Sequence, residues 1–448
     1  MSARRIGRTR RLLVPLLLAA GLTMFTTAIA AVPATAATRA TGHQPVTSTK
    51  LFVPRPDQGA ISQITQLLRA HDVRDAALLT RMVSTPQAVW FTSGTPDQVR
   101  TQVHTTMVAA KRQHAVPVLV AYDIPGRDCA QFSAGGALDQ AAYQAWINGF
   151  AAGLGHGRAI VILEPDALGN MPSDCHLPAS VYPFTDDERT AEINFAVDAL
   201  GRDAAARVYL DGTHSAWQAV GTITQRLLAA GVQRTRGVYL DVSNYQPTPE
   251  LIDYGTWIAD CIAIVTDPGN PLFGNPSACA SQYFPATQSD FSTWGLTTEF
   301  YTEHLGNAVP TTHFVIDTSR NGTGPNDMTE FAEAPFDQPS SVVATLAAGN
   351  WCNPPGAGTG LRPTTNTGIP LLDAYLWVKI PGESDGQCDA AGGVRAWDYS
   401  LFSEPGWPTT AAERRLFDPL WGMDDPAAGA WFPQQALQLA QDASPRLR

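Results

Sequence analysis

Three short stretches place carboxylates where bond cleavage would need them. In YDIPGRDC (residues 122–129) Arg127 precedes Asp128 and Cys129 follows it. Alone, Arg127 and Asp128 read as a plain surface ion pair, but a bridged cysteine beside them would fix the loop and hold the acid in place. In VILEPDALGN (residues 161–170) two acids flank a proline. Glu164 reads as a structural partner and Asp166 as the acid that faces outward, with Pro165 stiffening the turn between them. Negative charge from Asp128 would keep Asp166 protonated and fit it for general-acid work. In KIPGESDGQC (residues 379–388) Lys379, Glu383 and Asp385 share a glycine-rich turn closed by Cys388. Two carboxylates on opposite sides of a bond are the minimum equipment for hydrolysing a glycoside.

Each stretch opens as an apolar run, and the same grammar recurs along the chain. Residues 116–121, 159–163, 208–210, 238–240, 314–316 and 374–378 are apolar runs that end abruptly in Asp, Glu, Lys, His, Asn, Gly or Pro. Helical periodicity fills the intervals, as in residues 186–200, where Ile193, Ala196, Val197 and Leu200 recur at i, i+3, i+4 and i+7 behind an acidic first turn. Continuous apolar strands alternating with helices predict a parallel sheet buried on both faces. With further runs at 51–53 and 88–91, the expected fold is α/β, a closed or nearly closed β/α barrel whose strand-end loops converge on one face. For any single aspartate a helix cap or turn is the plainer account. Six successive strand ends call for more.

Composition narrows the partners. A formal net charge of −11 excludes a polyanion such as nucleic acid, and a charged share of only 16% points to a neutral polymer met by uncharged and aromatic groups. There are 11 tryptophans, for which core filling is the bland account unless they sit in loops. The first 11 residues carry five arginines, an apolar run over 12–25 follows, and an A-x-A site ends at Ala36. Residues 1–36 therefore read as a signal peptide, too short in its apolar run to anchor the mature chain in a membrane. Arg10–Arg11 leaves the twin-arginine and general export routes both open. Residues 37–50 read as a short tether and 51–448 as one catalytic domain, expected to be monomeric. Six cysteines with no C-x-x-C pair in an exported chain imply three disulfides, with fifteen pairings open. No metal site or cofactor is expected.

YDIPGRDC, VILEPDALGN, LDGTHSAW, VIDTSRNG, NWCN and WVKIPGESDGQC, in that order from Tyr122 to Cys388, resemble the motifs of glycoside hydrolase family 6, the cellulases. The resemblance implies a distorted seven-stranded β/α barrel acting on cellulose or another β-1,4-glucan with inversion. It implies Asp166 as the general acid and Asp128 as the auxiliary acid that raises its pKa. Asp385 is the candidate base, in the weakest of the three roles because water is thought to be activated indirectly. Tyr122 helps distort the sugar, and Asp211 matches a further acid of the motif. Trp90, Trp217 and Trp351 match stacking positions, with His214 beside the substrate and Asn244, Lys379 and Glu383 at sugar hydroxyls. The expected disulfides are Cys129 with Cys175, Cys352 with Cys388, and, by exclusion and closeness, Cys261 with Cys279.

Two positions depart from the family pattern. Ala134 stands where some members carry a serine that holds the catalytic water, with Ser133 next to it. Val220 stands where some cellobiohydrolases carry a further stacking tryptophan. Residues 389–428 are far longer than a connection needs, and Trp397, Tyr399, Phe402, Trp407 and Trp421 are expected to pack them down as a lid. Residues 261–279 are a second candidate roof. The expected mode is therefore chain-end release of cellobiose, with an open-groove endoglucanase as the alternative. Two readings of other classes compete: a metal-dependent hydrolase using Asp211, His214 and Asp317, and a non-catalytic glucan-binding protein, which would not need both Asp166 and Asp385.

Overall fold

The computed structural model describes residues 49–202 and 205–447, so the expected signal peptide and all but the end of the tether lie outside the described residues. Seven parallel strands pair in chain order: β1 (Val89–Phe91), β2 (Val118–Ala121), β3 (Ala159–Leu163), β4 (Ala206–Asp211), β5 (Gly237–Leu240), β6 (His313–Asp317) and β7 (Leu372–Leu376). The sheet curls without a β1–β7 ladder. Its edges meet through one backbone bond just past the strand ends, Ala88 N–H to the Trp377 carbonyl at 2.9 Å. The barrel is thus open along one seam. Residues 51–53 do not form the eighth strand expected of them. They contribute one bridge, Leu51 to Val116, and Pro54 and Pro56 lack the N–H groups a longer ladder would use.

The strands alternate between two cores, as burial on both faces requires. Leu119, Val161, Leu210, Leu240 and Ile316 face outward against Trp146, Phe150 and Trp257 of the surrounding helices. Val120, Ile162, Tyr209, Tyr239, Val315 and Leu376 face inward and fill the barrel. The helices are α1 (Gln58–Arg69), α2 (Val73–Val83), α3 (Pro96–Arg112), α4 (Gln140–Leu154), α5 (Asp186–Leu200), α6 (Val220–Ala229), α7 (Thr248–Thr266), α8 (Gly295–His304), α9 (Ser340–Ala348) and α10 (Pro433–Gln441). Helix α5 spans the residues its periodicity predicts. Thr185 and Glu188 cap it reciprocally and satisfy amides its first turn leaves free.

The three disulfides join Cys129 to Cys175, Cys261 to Cys279 and Cys352 to Cys388. The aromatics of the long segment after Cys388 pack mainly with one another. Trp397, Tyr399, Phe402 and Trp407 pack edge to face, or tilted in the case of Tyr399 on Phe417, with one another and with Phe331, Phe336 and Phe417, at centroid distances of 4.9–6.5 Å. Aromatic edges and faces attract, so these rings build a satellite core. Trp421 instead donates to the Asn353 carbonyl at 2.7 Å, and its ring packs against Phe432.

Candidate active site

Asp166 sits on a turn held from three sides. After β3 the backbone enters the left-handed region at Glu164 (φ 49°) and again at Asp166 (φ 66°), a conformation that costs a non-glycine residue about 1–3 kcal/mol and persists only under external restraint. Glu164 is fully buried and accepts from the Asp123 and Ile124 amides at 3.0 Å, tying this turn to the loop that carries Asp128. Arg189 of α5 spans the same two loops. It donates to the Pro125 carbonyl at 2.9 Å and the Ala167 carbonyl at 3.2 Å. Asp211, at the end of β4, accepts the Leu168 and Gly169 amides at 3.1 and 2.8 Å. Asp211 thus lies beneath the site and positions the acid-bearing turn.

Burial is the largest influence on the Asp166 carboxyl and pushes its pKa well up. The negative charges of Asp211, Asp128 and Asp385 add to this, against Lys379. Asp128 is pushed up to about 6, chiefly by burial, with the Ser133 amide and Arg127 opposing and Asp385 adding. Arg127 does not form the simple pair with Asp128 that adjacency suggests. Its guanidinium donates to the carbonyls of Ser133, Thr92 and Tyr122 and comes within 3.9 Å of Asp123, so it clamps the loop from within.

Asp385 occupies the opposite electrostatic setting. Its Oδ2 accepts from Arg320 Nη1 at 2.7 Å and the Asn353 amide at 2.9 Å, with the Tyr245 hydroxyl at 3.5 Å. Its Oδ1 faces Lys379 Nζ at 3.1 Å. Burial would raise this carboxyl, but Arg320 and Lys379 outweigh it and hold it below the usual carboxylate range. The result is an ionised aspartate whose lone pairs are already engaged.

Between these walls runs a groove of about 1400 Å³. It is lined by Asp128, Asp166, Asp385, Tyr122, Trp90, His214, Trp217, Asn244, Trp351, Lys379 and Glu383, which leaves Asp211 as the one expected site residue off its surface. Trp90 is fixed by its indole N–H on the Val378 carbonyl at 2.8 Å and meets Tyr122 edge to face at 5.5 Å. Trp217 lies over Gly169, where an added Cβ would fall 2.3 Å from the indole, so the acid-bearing turn and this platform pack as one unit. Trp351 tilts against Phe132 at 6.0 Å. His214 is pushed down to about 3 by burial and is neutral, with Nδ1 accepting the Ala216 amide. Glu383 is raised to about 7, mainly by burial, with Lys379 opposing and Asp57 adding. Asn244 Oδ1 accepts the Tyr245 amide at 3.2 Å.

The residues of the metal reading have other partners. Asp211 also takes the Thr213 amide at 2.9 Å, and Asp317 accepts the amides of Ser319, Val378, Lys379 and Ser243 at 2.9–3.3 Å.

Residues 46–443 match the family model described as Glycosyl hydrolases family 6. The chain belongs to this family. It is 32% identical over 345 residues to Endoglucanase A of Thermobispora bispora, covering 75% of this chain and 59% of that protein. It is 28% identical over 346 residues to 1,4-beta-D-glucan cellobiohydrolase C of Emericella nidulans, covering 73% and 61%. The chain thus spans about six-tenths of the length of each. The endoglucanase Cel6 of Mycobacterium tuberculosis, solved with a methyl-cellobiosyl thio-cellobioside, superposes with a TM-score of 0.58 at 32% identity, over 89% of this chain and 98% of that one. The chain is a glycoside hydrolase of the cellulase type.

For a family 6 chain, the departures acquire physical meaning. Val220 is fully buried at the start of α6, so it offers no surface for a sugar. Ser133 and Ala134 both line the groove, and the Ser133 amide holds Asp128 Oδ2 at 2.5 Å. The residues missed in the sequence are Arg320, Asn353 and Tyr245, which contact the Asp385 carboxylate, and Arg189, which joins the two acid loops. Arg320 and Asn353 lie inside the quoted motifs VIDTSRNG and NWCN, so a cation and an amide at strand-end loops were signals on hand. Tyr245 and Arg189 carry no such mark.

Proposed function

We propose that the chain is an exported hydrolase that cleaves β-1,4-glucosidic bonds of cellulose with inversion. Asp166 delivers the proton to the leaving oxygen, and Asp128 holds that proton in place by its charge. The observation that carries the reading is the opposite charge state of two aspartates in one groove, with Asp166 raised among anions and Asp385 lowered between two cations. An ionised Asp385 with engaged oxygens is poorly suited to attack the anomeric carbon. It suits a charge that orients water through its neighbours, as indirect activation in an inverting site requires. Tyr122 beneath the sugar and the indoles of Trp90, Trp217 and Trp351 supply apolar platforms, with Lys379, Glu383, Asn244 and His214 for hydroxyls. The three disulfides and the basic, then apolar, N-terminus support export.

For the mode of attack, the geometry favours internal cleavage in an open groove. The aromatics of residues 389–428 are spent in the satellite core, and no residue of 261–279 lines the groove. Chain-end release of cellobiose is the second reading, favoured by Gly392, Gly393, Val394, Ala427 and Ala428, which bring both ends of the long segment to the groove edge. Products from cellohexaose, resolved by anomer, test the reaction. The α-anomer at the new reducing end is expected, and β-anomer or no cleavage overturns the reading. Carboxymethylcellulose viscosity separates the modes: a steep early fall indicates internal cleavage, and soluble sugar with little fall indicates chain-end attack.

A further inference from the structure

Two aromatic side chains stand exposed on a turn bonded to the Trp217 loop. Phe284 is 78% and Tyr283 46% exposed. They sit on a tight turn closed by Ser281 N–H to the Phe284 carbonyl at 2.7 Å and by the Tyr283 amide on Ser281 Oγ at 3.1 Å. The turn is stapled to the Trp217 loop. The Tyr283 hydroxyl donates to the Trp217 carbonyl at 2.9 Å, and the Gln282 side-chain Nε2 to the Gln218 carbonyl at 2.9 Å. Shortly after the turn, Gln288 reaches the groove lining itself.

An isolated exposed apolar side chain needs no explanation, but here two adjacent exposed rings sit on one tight turn that is hydrogen-bonded to the loop whose own indole lines the groove. We propose that Tyr283 and Phe284 form an outer binding platform that stacks a β-1,4-glucan chain as it leaves the groove past Trp217. This rests on the glucan-hydrolase reading above. Pyranose rings present apolar C–H faces, and a rigid aromatic takes them at little entropic cost. The platform lies on the same side of the groove as α6, whose first residue, Val220, is buried and supplies no ring. A different loop thus provides aromatic surface beyond Trp217.

The test compares cellohexaose with cellotetraose, using wild type, Phe284→Ala, Tyr283→Ala and Tyr283→Phe. Each alanine variant is expected to raise KM about 3- to 10-fold on cellohexaose, a size in keeping with a single aromatic contact, with little change on cellotetraose. Tyr283→Phe keeps the ring and loses only the bond to Trp217, so it should retain most of the cellohexaose affinity that Tyr283→Ala loses. Equal losses on both substrates, or Tyr283→Phe matching Tyr283→Ala, would show that the turn only braces Trp217 and would overturn the platform. Unchanged cellohexaose kinetics in both alanine variants would also overturn it, with the hydrolase reading intact because wild type still turns over. A wild type inactive on both sugars would remove the hydrolase reading and the platform with it.

Discussion

The two walls of the groove carry the same side chain in opposite states. On one, burial raises both Asp166 and Asp128, with the charges of Asp211, Asp128 and Asp385 adding at Asp166 and that of Asp385 adding at Asp128. On the other, Asp385 is at least as deeply enclosed, yet Arg320 and Lys379 within 3.1 Å reverse the balance. Burial alone does not set the charge of a carboxylate. The contacting cations decide, and an acid and a permanent anion can share one cleft.

The largest effect should come from removing the proton on the first wall. Asp166→Asn is expected to lower turnover on cello-oligosaccharides by about 10²–10⁴-fold with binding nearly intact, the range of general-acid contributions. Steady-state kinetics with an aryl cellobioside should show a smaller loss, because a good leaving group needs less protonation. Asp385→Ala should be severely impaired with little such rescue. Near wild-type turnover in Asp166→Asn would erase the distinction between the walls.

Next in size is the loss of a cation from the second wall. Arg320→Met leaves the Asp385 carboxylate buried beside a single cation, and removing one partner of a buried pair costs about 3–5 kcal/mol. A lower midpoint in denaturant titration is expected, together with an acid limb of kcat/KM displaced to higher pH as Asp385 regains an ordinary affinity for protons. A stable variant with an unmoved pH profile would show that Arg320 does not govern Asp385.

The disulfides sharpen the comparison further. Cys129–Cys175 and Cys352–Cys388 anchor the loops of Asp128 and Asp385, whereas Cys261–Cys279 closes a segment that does not reach the groove. Replacing either of the first two pairs by serines should lower kcat at temperatures where circular dichroism still reports a folded barrel. Replacing the third should lower thermal stability alone.

The smallest expected effect is a slope. Glu164, raised to about 8 chiefly by burial, binds a proton in the folded chain that the unfolded chain has released above about 4.3. Stability from this group therefore falls as pH rises through that window. Asp385 acts in the opposite sense: its depressed pKa contributes stability above about 3.9 that is lost as pH falls through the folded value. Melting temperatures should peak in mildly acid buffer, and Glu164→Gln should flatten the alkaline side.

Much of this arrangement was legible in the sequence, because strand ends are local features. An apolar run that stops at a polar cluster marks both the element and the side chain it presents, so all seven strands, helix α5 and the acids of both walls could be placed in advance. What was illegible depends on closure. Residues 51–53 have the composition of a strand, but flanking prolines leave them with one bridge. Arg320, Asn353 and Tyr245 converge on Asp385 from 32 to 140 positions away, and no spacing rule brings them together. The aromatics of residues 389–428 were expected to pack a lid, and four of them, Trp397, Tyr399, Phe402 and Trp407, instead cluster with one another and with Phe331 and Phe336. Their partners, Phe331 and Phe336, lie about 60 to 70 positions earlier in the chain, and composition does not reveal that pairing.

The most direct test of the contrast between the walls is carboxyl-carbon NMR of aspartate-labelled protein between pH 3 and 8, with Asp166 and Asp385 assigned by Asp166→Asn and Asp385→Asn. The Asp166 resonance should take up its proton well above the ordinary aspartate range, while that of Asp385 should do so only below it. Two resonances that titrate together near pH 4, or an Asp385 that takes up its proton before Asp166, would contradict the account.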